Sequence, residues 1–372
     1  MIRKTRAGQL VTLFIFLSFF FVGPLHARAS QQVQTQAAEA THKAEAEEEL
    51  HIGDMIMEHI VDAYEWHLFS YKGHDYVIPL PVILYDNGHW MVFSSSHLNH
   101  GHSAYKGYFI AKDGANIGKL VRKEASGKEV LPQWDLSITK TVLAIFINAL
   151  IVMLIFLSVA KSYKKRKGQA PKGLQSLMEP LVLFIRDDVA KASIGEERFE
   201  RYLPYLMTLF FFILFSNLFG IFPFFPGGAN VTGNIAVTGV MAFFTFVITT
   251  VSGNKHYWVD IFNTPGVPWW LKLPVPLMPF VEVLGIFTKP FVLAVRLFAN
   301  MVSGHIVLAG FISLIFIFGK IAVGLGYGVS VFSIAFAIFL DLLEVLVAFI
   351  QAYVFVLLSA LYFGMATETP EH

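Results

Sequence analysis

The sequence predicts an all-α polytopic membrane protein with about five membrane helices, the last two long and tilted, and a small external N-terminal region that contains a β-hairpin. Hydrophobic residues make up 55% of the chain, which is more than a soluble domain usually carries. Residues 203–254, 321–340 and 345–367 contain no Asp, Glu, Lys or Arg, and each stretch reaches the ~20 residues that a membrane crossing needs. Residues 30–136, in contrast, are polar.

The first 29 residues have the features of a signal peptide. A basic segment at residues 3–6 precedes the short apolar stretch 10–22, and residues 27–29 supply the small side chains at which signal peptidase cuts. The sequence therefore predicts a cleaved signal peptide over residues 1–29. An uncleaved membrane anchor is the alternative. The chain has no cysteine, which excludes disulfides and thiolate catalysis.

Residues 30–136 are predicted to form a histidine-rich periplasmic region with a hairpin. Residues 76–85 and 89–93 read as two strands on either side of Asn87-Gly88, a pair that favours the positive φ angles of a tight turn. Prolines within residues 76–85 predict an edge strand, because proline cannot donate a ladder hydrogen bond.

Most of the histidines in the chain lie in this same region, among them His89, His97, His100 and His102. Imidazole is a common metal ligand, so zinc or copper is one interpretation. No acidic or thiol partner shares the spacing, however, and solvated loop histidines are the simpler interpretation. The sequence predicts no metal and no cofactor.

The membrane domain is predicted over residues 137–372, with a basic cluster after its first span. Five spans are expected, at residues 139–160, 204–224, 235–251, 278–318 and 329–363. Lys and Arg are concentrated in residues 161–172, which indicates the cytoplasmic side. The N-terminal region is then periplasmic and the C-terminus cytoplasmic, in a bacterial inner membrane. The last two spans exceed ~20 residues and are expected to tilt strongly or to lie partly in the membrane plane.

Three connecting segments are expected at the membrane surface. Residues 171–200 carry leucines and Phe184 at helical spacing between charges, which favours a surface helix over a partner-binding one. Residues 226–233 are predicted to form a short external turn. Residues 255–277 are rich in Trp and Pro and are expected to form an interfacial loop.

Arg296 is the residue that bears most directly on function. It is the only Lys, Arg, Asp or Glu between Phe291 and Gly319. Placing a cation in hydrocarbon costs about 2.5–3.5 kcal/mol on insertion scales, and arginine cannot escape this cost by losing its proton. A functional cation is therefore predicted. Snorkelling toward the membrane surface near Lys289 is the alternative.

The last two spans hold nearly all of the polar side chains expected at membrane depth. These residues are Glu282, Arg296, Asn300, His305, Asp341, Glu344 and Gln351. Arg296 and Asn300 are four residues apart and share a helix face. If the two helices are antiparallel and His305 lies beside Glu344, the spacing places Arg296 near Gln351.

A His–Glu pair has the chemistry of a proton relay, because histidine gains and loses its proton near neutral pH. An ion pair that only joins two helices is the alternative. Glu282 is a weaker candidate, since it lies near a proline-rich interface where a carboxylate is readily solvated.

Several segments around these residues resemble subunit a of the F-type ATP synthase membrane sector. The segments are Phe-Thr-Lys-Pro at 287–290, Val-Arg-Leu-Phe-Ala-Asn-Met at 295–301, Gly-His at 304–305 and Ile-Gln-Ala-Tyr-Val-Phe at 350–355, with Ser-Asn-Leu-Phe-Gly-Ile-Phe-Pro at 216–223 similar to the family's second span. The resemblance covers roughly residues 131–366.

The resemblance implies a stator proton-channel subunit with two half-channels that load and unload the carboxylates of a c-subunit ring, so that proton flow drives rotation and ATP synthesis. It implies that Arg296 faces the ring, with Asn300 and Gln351 as polar neighbours and His305 with Glu344 as the inlet pair. The implied partners are the c-ring, a b-type peripheral stalk, the rest of the ATP synthase complex and the lipid bilayer. Nothing indicates a nucleic acid. The chain has no glycine-rich phosphate loop, so it is not expected to be an enzyme itself.

The chain also departs from the family's pattern. Its His-then-Glu order resembles the mitochondrial one, and Gly228, Ala229 and Asn230 stand where an external-loop acid is often found. The long N-terminal region is unlike shorter members and reads as an addition. Two other classes stay open: a secondary ion antiporter, which should show internal repeats, and a non-conducting assembly protein, which needs no titratable pair.

Overall fold

The computed structural model describes residues 62–368 apart from 72–73, 100, 102, 112–115, 125–126, 167, 223–224, 226 and 263–276. The predicted signal peptide therefore lies outside the described residues, as do His100, His102 and most of the predicted interfacial loop.

The described chain has five helices that are long and apolar enough to cross a membrane. They are α1 (Lys140–Lys165), α3 (Phe199–Ile221), α4 (Ile235–Ser252), α6 (Leu277–Ile321) and α7 (Val323–Thr367). This confirms the predicted number of spans. Helices α6 and α7 have 45 residues each, or about 68 Å at 1.5 Å per residue. That is more than twice the ~30 Å hydrocarbon thickness, so neither helix can stand along the membrane normal.

The connection between α6 and α7 is shorter than the sequence predicts. The sequence predicts a break of about ten residues between positions 318 and 329, but only Ala322, with extended backbone, separates the helices. Several glycines lie in this segment. The glycines serve close packing instead. A Cβ on Gly326 would stand 2.8 Å from the Cα of Gly319, so the two backbones meet where side chains larger than hydrogen do not fit.

Helix α3 is the most buried of the five. Its residues Leu206, Phe210 and Ile213 are fully buried, and they share one apolar cluster with Ala352 and Val356 of α7. Small residues on α7 permit this close helix packing. The cluster fixes the position of α7 relative to α3, and thereby positions the polar side chains described below.

Two short helices lie in segments that the sequence assigned to the membrane surface, the first where a helix is predicted and the second where a loop is predicted. Helix α2 (Leu174–Phe184) continues through a π-helical segment (Ile185–Lys191) and a last turn (Ala192–Ile194). Leu177 is exposed, as a lipid-facing residue would be, whereas Phe184 contacts Phe349 and Tyr353 of α7. The expected loop after α4 begins instead with helix α5 (Lys255–Phe262), so that prediction was wrong for these residues.

The N-terminal region contains more strand than one hairpin. Its strands are β1 (Glu65–Tyr71), β2 (His74–Pro79), β3 (Pro81–Asp86), β4 (His89–Ser94), β5 (Tyr108–Ile110), β6 (Leu120–Lys123), β7 (Glu129–Val130) and β8 (Trp134–Asp135). They form three small antiparallel sheets with strand orders β1-β2, β4-β3-β8 and β5-β6-β7.

The predicted hairpin is present as β3 and β4. Asn87 and Gly88 form its turn with φ angles of 50° and 80°, as the Asn-Gly pair predicts. The edge-strand prediction was wrong for β3, which lies between β4 and β8. Pro81 is tolerated there because it is the first residue of its strand, and Leu80 divides the predicted long strand into β2 and β3.

A buried carboxylate organises the core of this region. Asp86 accepts a hydrogen bond from the Tyr108 hydroxyl at 2.5 Å and lies 2.9 Å from Nε of Arg122. Burial and the neighbouring Asp86 carboxylate raise the pKa of Tyr108 to about 12, because both disfavour the phenolate. The phenol therefore stays a hydrogen-bond donor well above neutral pH.

Candidate functional site

Helices α6 and α7 are antiparallel, as the contacts between them show. As position numbers fall along α6, those of the contacting residues rise along α7. The ring centroids of Phe311 and Phe336 lie 4.4 Å apart, and further from the turn Gly304 lies against Glu344. This is the antiparallel register that the spacing of polar residues predicts.

His305 and Glu344 face each other across the two helices. Nδ1 of His305 lies 3.8 Å from Oε1 of Glu344, and the two side chains are 18% and 11% exposed. This separation is within ion-pair range and beyond a hydrogen bond. Nε2 of His305 and Oε1 of Glu344 are buried without a hydrogen-bond partner among the described residues. The pair therefore keeps free donor and acceptor capacity, which a fully satisfied structural ion pair would not have.

Two glycines make room for this pair. A Cβ on Gly304 would stand 2.8 Å from Oε1 of Glu344. On Gly220 of α3, a Cβ would stand 2.6 Å from Cε of Met301 and 3.7 Å from Nε2 of His305. Helix α3 therefore forms the third wall around the imidazole, and only a residue without a side chain fits at these two positions without displacement.

Arg296 lies on an exposed face of α6, although most of its neighbours in sequence are apolar. Asn300, one turn further on, is exposed as well, as the four-residue spacing predicts. Leu293 and Leu297 are buried against the other helices. Among the described residues, none forms a salt bridge with Arg296. The guanidinium is thus held at the surface of the helix bundle without a carboxylate from its own described chain.

Gln351 lies beside Arg296, as predicted. The two residues line one narrow cleft together with Leu293, Leu297, Val354 and Phe355. Gln351 is buried, and its Nε2 has no hydrogen-bond partner among the described residues. An unsatisfied buried amide donor next to a cation indicates space for an acceptor that the chain itself does not supply.

A line of buried polar groups extends from Gln351 into α3, and sequence reasoning did not identify it. Nδ2 of Asn217 donates to Oε1 of Gln351 at 3.1 Å, and Oδ1 of Asn217 accepts from the Thr232 hydroxyl at 2.6 Å. Asn217 and Thr232 are both fully buried. One feature of the sequence could have indicated this network: Asn217 is the only Asn in the apolar span of α3. An amide side chain rarely lies at membrane depth without a hydrogen-bond partner.

Glu282 lies apart from the other predicted site residues. It precedes Arg296 by 14 positions on the same helix, which corresponds to about 21 Å. Glu282 is half-buried near α5, where burial and the charge of Glu282 together raise the pKa of Tyr257. The structure therefore brings Arg296 next to Gln351, and His305 next to Glu344, but places Glu282 at the other end of α6.

The described histidines of the N-terminal region do not converge. His97 packs on the Tyr105 ring at 4.5 Å, and its Nδ1 lies 3.1 Å from the carbonyl of Ser94. Within the part of the chain that the structure describes, no group of three or more His, Asp or Glu side chains could hold a metal ion.

Comparison with known proteins assigns this chain to a family. The family model described as ATP synthase A chain matches residues 142–364. The chain belongs to the ATP synthase A chain family. It is 46% identical to ATP synthase subunit a of Chloroherpeton thalassium, over 64% of this chain and 69% of the relative. It is 44% identical to ATP synthase subunit a 2 of Prosthecochloris aestuarii, over 67% of this chain and 76% of that protein.

A more distant relative spans more of the chain. ATP synthase subunit a of an Anaeromyxobacter species is 35% identical over 88% of this chain and 74% of its own length. Residues 55–141 match a second family model, described as a domain of unknown function. That match begins seven residues before the described part of the chain and ends within the first turn of α1.

Membership in the ATP synthase A chain family confirms the predicted function. The chain is the proton-channel subunit of an F-type ATP synthase, a multi-pass membrane component of that complex that is not itself catalytic. The antiporter and the non-conducting assembly protein, which the sequence left open, are therefore set aside.

Proposed function

We propose that the two polar sites on α6 and α7 divide proton transfer into two steps, in two offset half-channels that reach the middle of the membrane from its opposite sides. In the first step, a proton from outside the membrane passes His305 and Glu344 and neutralises a carboxylate on the c-subunit ring. A neutral carboxyl group can turn into lipid, whereas a charged one cannot do so cheaply. The free hydrogen-bonding atoms of His305 and Glu344 support this role, because a relay must accept and release a proton in turn.

In the second step, the ring carboxyl deprotonates toward the cytoplasm and Arg296 holds the resulting anion. The observation that carries this proposal is the exposed guanidinium on an apolar helix, with no carboxylate partner among the described residues. A charge-assisted hydrogen bond would form as the ring carboxylate passes. Asn300, exposed one turn from Arg296, and the amide of Gln351 in the same cleft would help Arg296 to hold that carboxylate. Because arginine stays protonated, it also blocks direct leakage between the two half-channels.

The proposed orientation follows from charge. The basic cluster at residues 161–172 follows the apolar part of α1, which favours a cytoplasmic end there. The N-terminal region is then periplasmic, the C-terminus cytoplasmic and the membrane a bacterial inner membrane. His305 lies on the periplasmic side of Arg296, and Glu282 lies near the cytoplasmic end of α6, where it is a candidate for the outlet half-channel. The partners would be the c-ring and a b-type peripheral stalk.

Replacement of Arg296 tests this proposal. We expect Arg296→Ala to abolish ATP synthesis driven by a proton gradient in membrane vesicles, with the complex still assembled in the membrane. Arg296→Lys should also fail, because a desolvated lysine can release its proton and join a leak.

Lys320→Ala is the matched control, because it removes an exposed cation from the last turn of the same helix. Its synthesis rate should stay at the wild-type level. A fully assembled Arg296→Ala complex that still makes ATP at nearly the wild-type rate would contradict the proposal, since Arg296 would then be a snorkelling residue.

A further inference from the structure

The N-terminal β-strand region packs directly on the external end of the helix bundle. Trp66 of β1 is only 2% exposed, and it shares an apolar cluster with Ala144 of α1 and with Ala229 and Val231 of the loop between α3 and α4. Its ring lies 5.3 Å from the ring of Phe225 in the same loop. An indole with this much buried area holds the region in place on the membrane domain.

The loop that receives Trp66 is also part of the wall around His305. A Cβ built on Gly220 would lie 3.7 Å from the carbonyl oxygen of Ala229 and equally 3.7 Å from Nε2 of His305. Ala229 is therefore in contact with Trp66 on one side and close to the imidazole site on the other. The β-strand region consequently lies over the external end of the His305 site.

The same docking places two opposite charges at this end of the bundle. Oδ1 of Asp62 accepts hydrogen bonds from the backbone N–H groups of Thr141 and Ala63, at 2.9 and 3.0 Å. The backbone N–H of Lys140 donates to the carbonyl of Ala63 at 2.8 Å. Asp62 and Lys140 are both half-buried. Lys140 lies one helical turn before Ala144 on the same face of α1, and Ala144 shares the Trp66 cluster with Ala229. Lys140 and Asp62 are therefore both at the end of the bundle where this loop covers His305.

We propose that Asp62 is a positioning residue of the proton inlet, supplied by the N-terminal region, and that its carboxylate neutralises Lys140 so that protons can approach His305. The inference rests on the proposed inlet role of His305 and Glu344. A half-buried ammonium at the end of the bundle from which protons approach His305 repels them, unless a carboxylate balances its charge. The loop at Gly228, Ala229 and Asn230 supplies no acid at this end.

A purely mechanical role for Asp62 predicts a different outcome, because its carboxylate also anchors the first turn of α1 by accepting the Thr141 N–H. Asp62→Asn separates the two roles. It keeps an acceptor oxygen at the same position and removes only the charge. If the charge of Asp62 is what supports proton entry, the double variant Asp62→Asn with Lys140→Gln should regain synthesis activity, because it removes the cation that the carboxylate neutralised.

The experiment measures ATP synthesis by the complete complex in vesicles under an imposed proton gradient. We expect Asp62→Asn to lower the rate at least threefold at equal amounts of assembled complex, and the double variant to recover at least half of the wild-type rate. Glu124→Gln is the matched control. It removes an exposed acid from the same region, and its rate should remain that of the wild type.

Two results would overturn the proposal: a rate for Asp62→Asn within threefold of the wild type, or a double variant no faster than Asp62→Asn. A parallel His305→Ala variant separates this failure from that of the inlet itself. If His305→Ala is slow and Asp62→Asn is not, only the role of Asp62 is wrong. If His305→Ala runs at the wild-type rate, the inlet proposal fails, and the role of Asp62 fails with it.

Discussion

At the scale of single residues, two ionisable sites on neighbouring helices are kept in different environments. His305 and Glu344 are largely buried and face each other at 3.8 Å, whereas Arg296 is exposed and has no salt bridge among the described residues. A buried pair can pass a proton inside the chain. An exposed permanent cation without a carboxylate partner in the described chain leaves its charge open to an anionic group from outside that chain.

The pair should behave as one functional unit. Replacing either His305 or Glu344 with an apolar residue is expected to slow proton uptake severely, because the other group is left buried and unpaired. Exchanging them, as His305→Glu with Glu344→His, should recover part of the synthesis rate, since both chemistries return to one place. A double-mutant cycle on proton-driven ATP synthesis measures the coupling between the two residues.

Ser313→Ala is a suitable control for this cycle, because Ser313 is a buried polar residue of α6 that bonds only within its own helix in the described structure. Its coupling with Glu344 should be near zero. If the coupling between His305 and Glu344 is also zero within error, and the exchange recovers nothing, the two residues do not share a relay.

At the scale of secondary-structure elements, the account depends on the tight antiparallel packing of α6 against α7. The sequence predicts an interruption between the last two spans, at residues 319–328, and several glycines, a residue type that can interrupt a helix, lie in that segment. In the structure they let two 45-residue helices meet backbone to backbone. Sequence reasoning could not separate these two uses of glycine, because only the partner helix shows that the space is filled.

Gly326→Ala should therefore weaken the helix pair. The new Cβ would meet the Gly319 backbone at 2.8 Å, and overpacking of this kind costs about 1–3 kcal/mol. We expect a lower midpoint of unfolding for the detergent-solubilised protein. Gly324→Ala is the control, since its Cβ would meet nothing within 4 Å, and a Gly-to-Ala change in an open helix position is neutral or stabilising. Equal midpoints for the two variants would contradict this packing account.

At the scale of the whole molecule, the sequence predicted those features that arise from local pattern. Five spans follow from apolar runs, and the neighbourhood of Arg296 and Gln351 follows from spacing along two adjacent helices. Features that depend on distant pairing were missed. Asn217 bonds to Gln351, which lies 134 positions away in sequence, and Asp62 bonds to Thr141, which lies 79 positions away. Neither contact produces a periodic pattern in the sequence. The order of the β-sheets is unpredictable for the same reason.

The most direct test of the central claim asks whether the Arg296 face of α6 meets the rotor ring. Because the chain has no cysteine, an introduced thiol is its only one. Asn300→Cys, combined with a cysteine beside the ring carboxylate, should give a disulfide-linked adduct with the c subunit on oxidation, since a disulfide requires Cβ atoms about 4 Å apart. Val302→Cys, about 200° around the helix at nearly the same depth, should give none. An adduct with Val302→Cys instead of Asn300→Cys, or none with Asn300→Cys, would contradict the account.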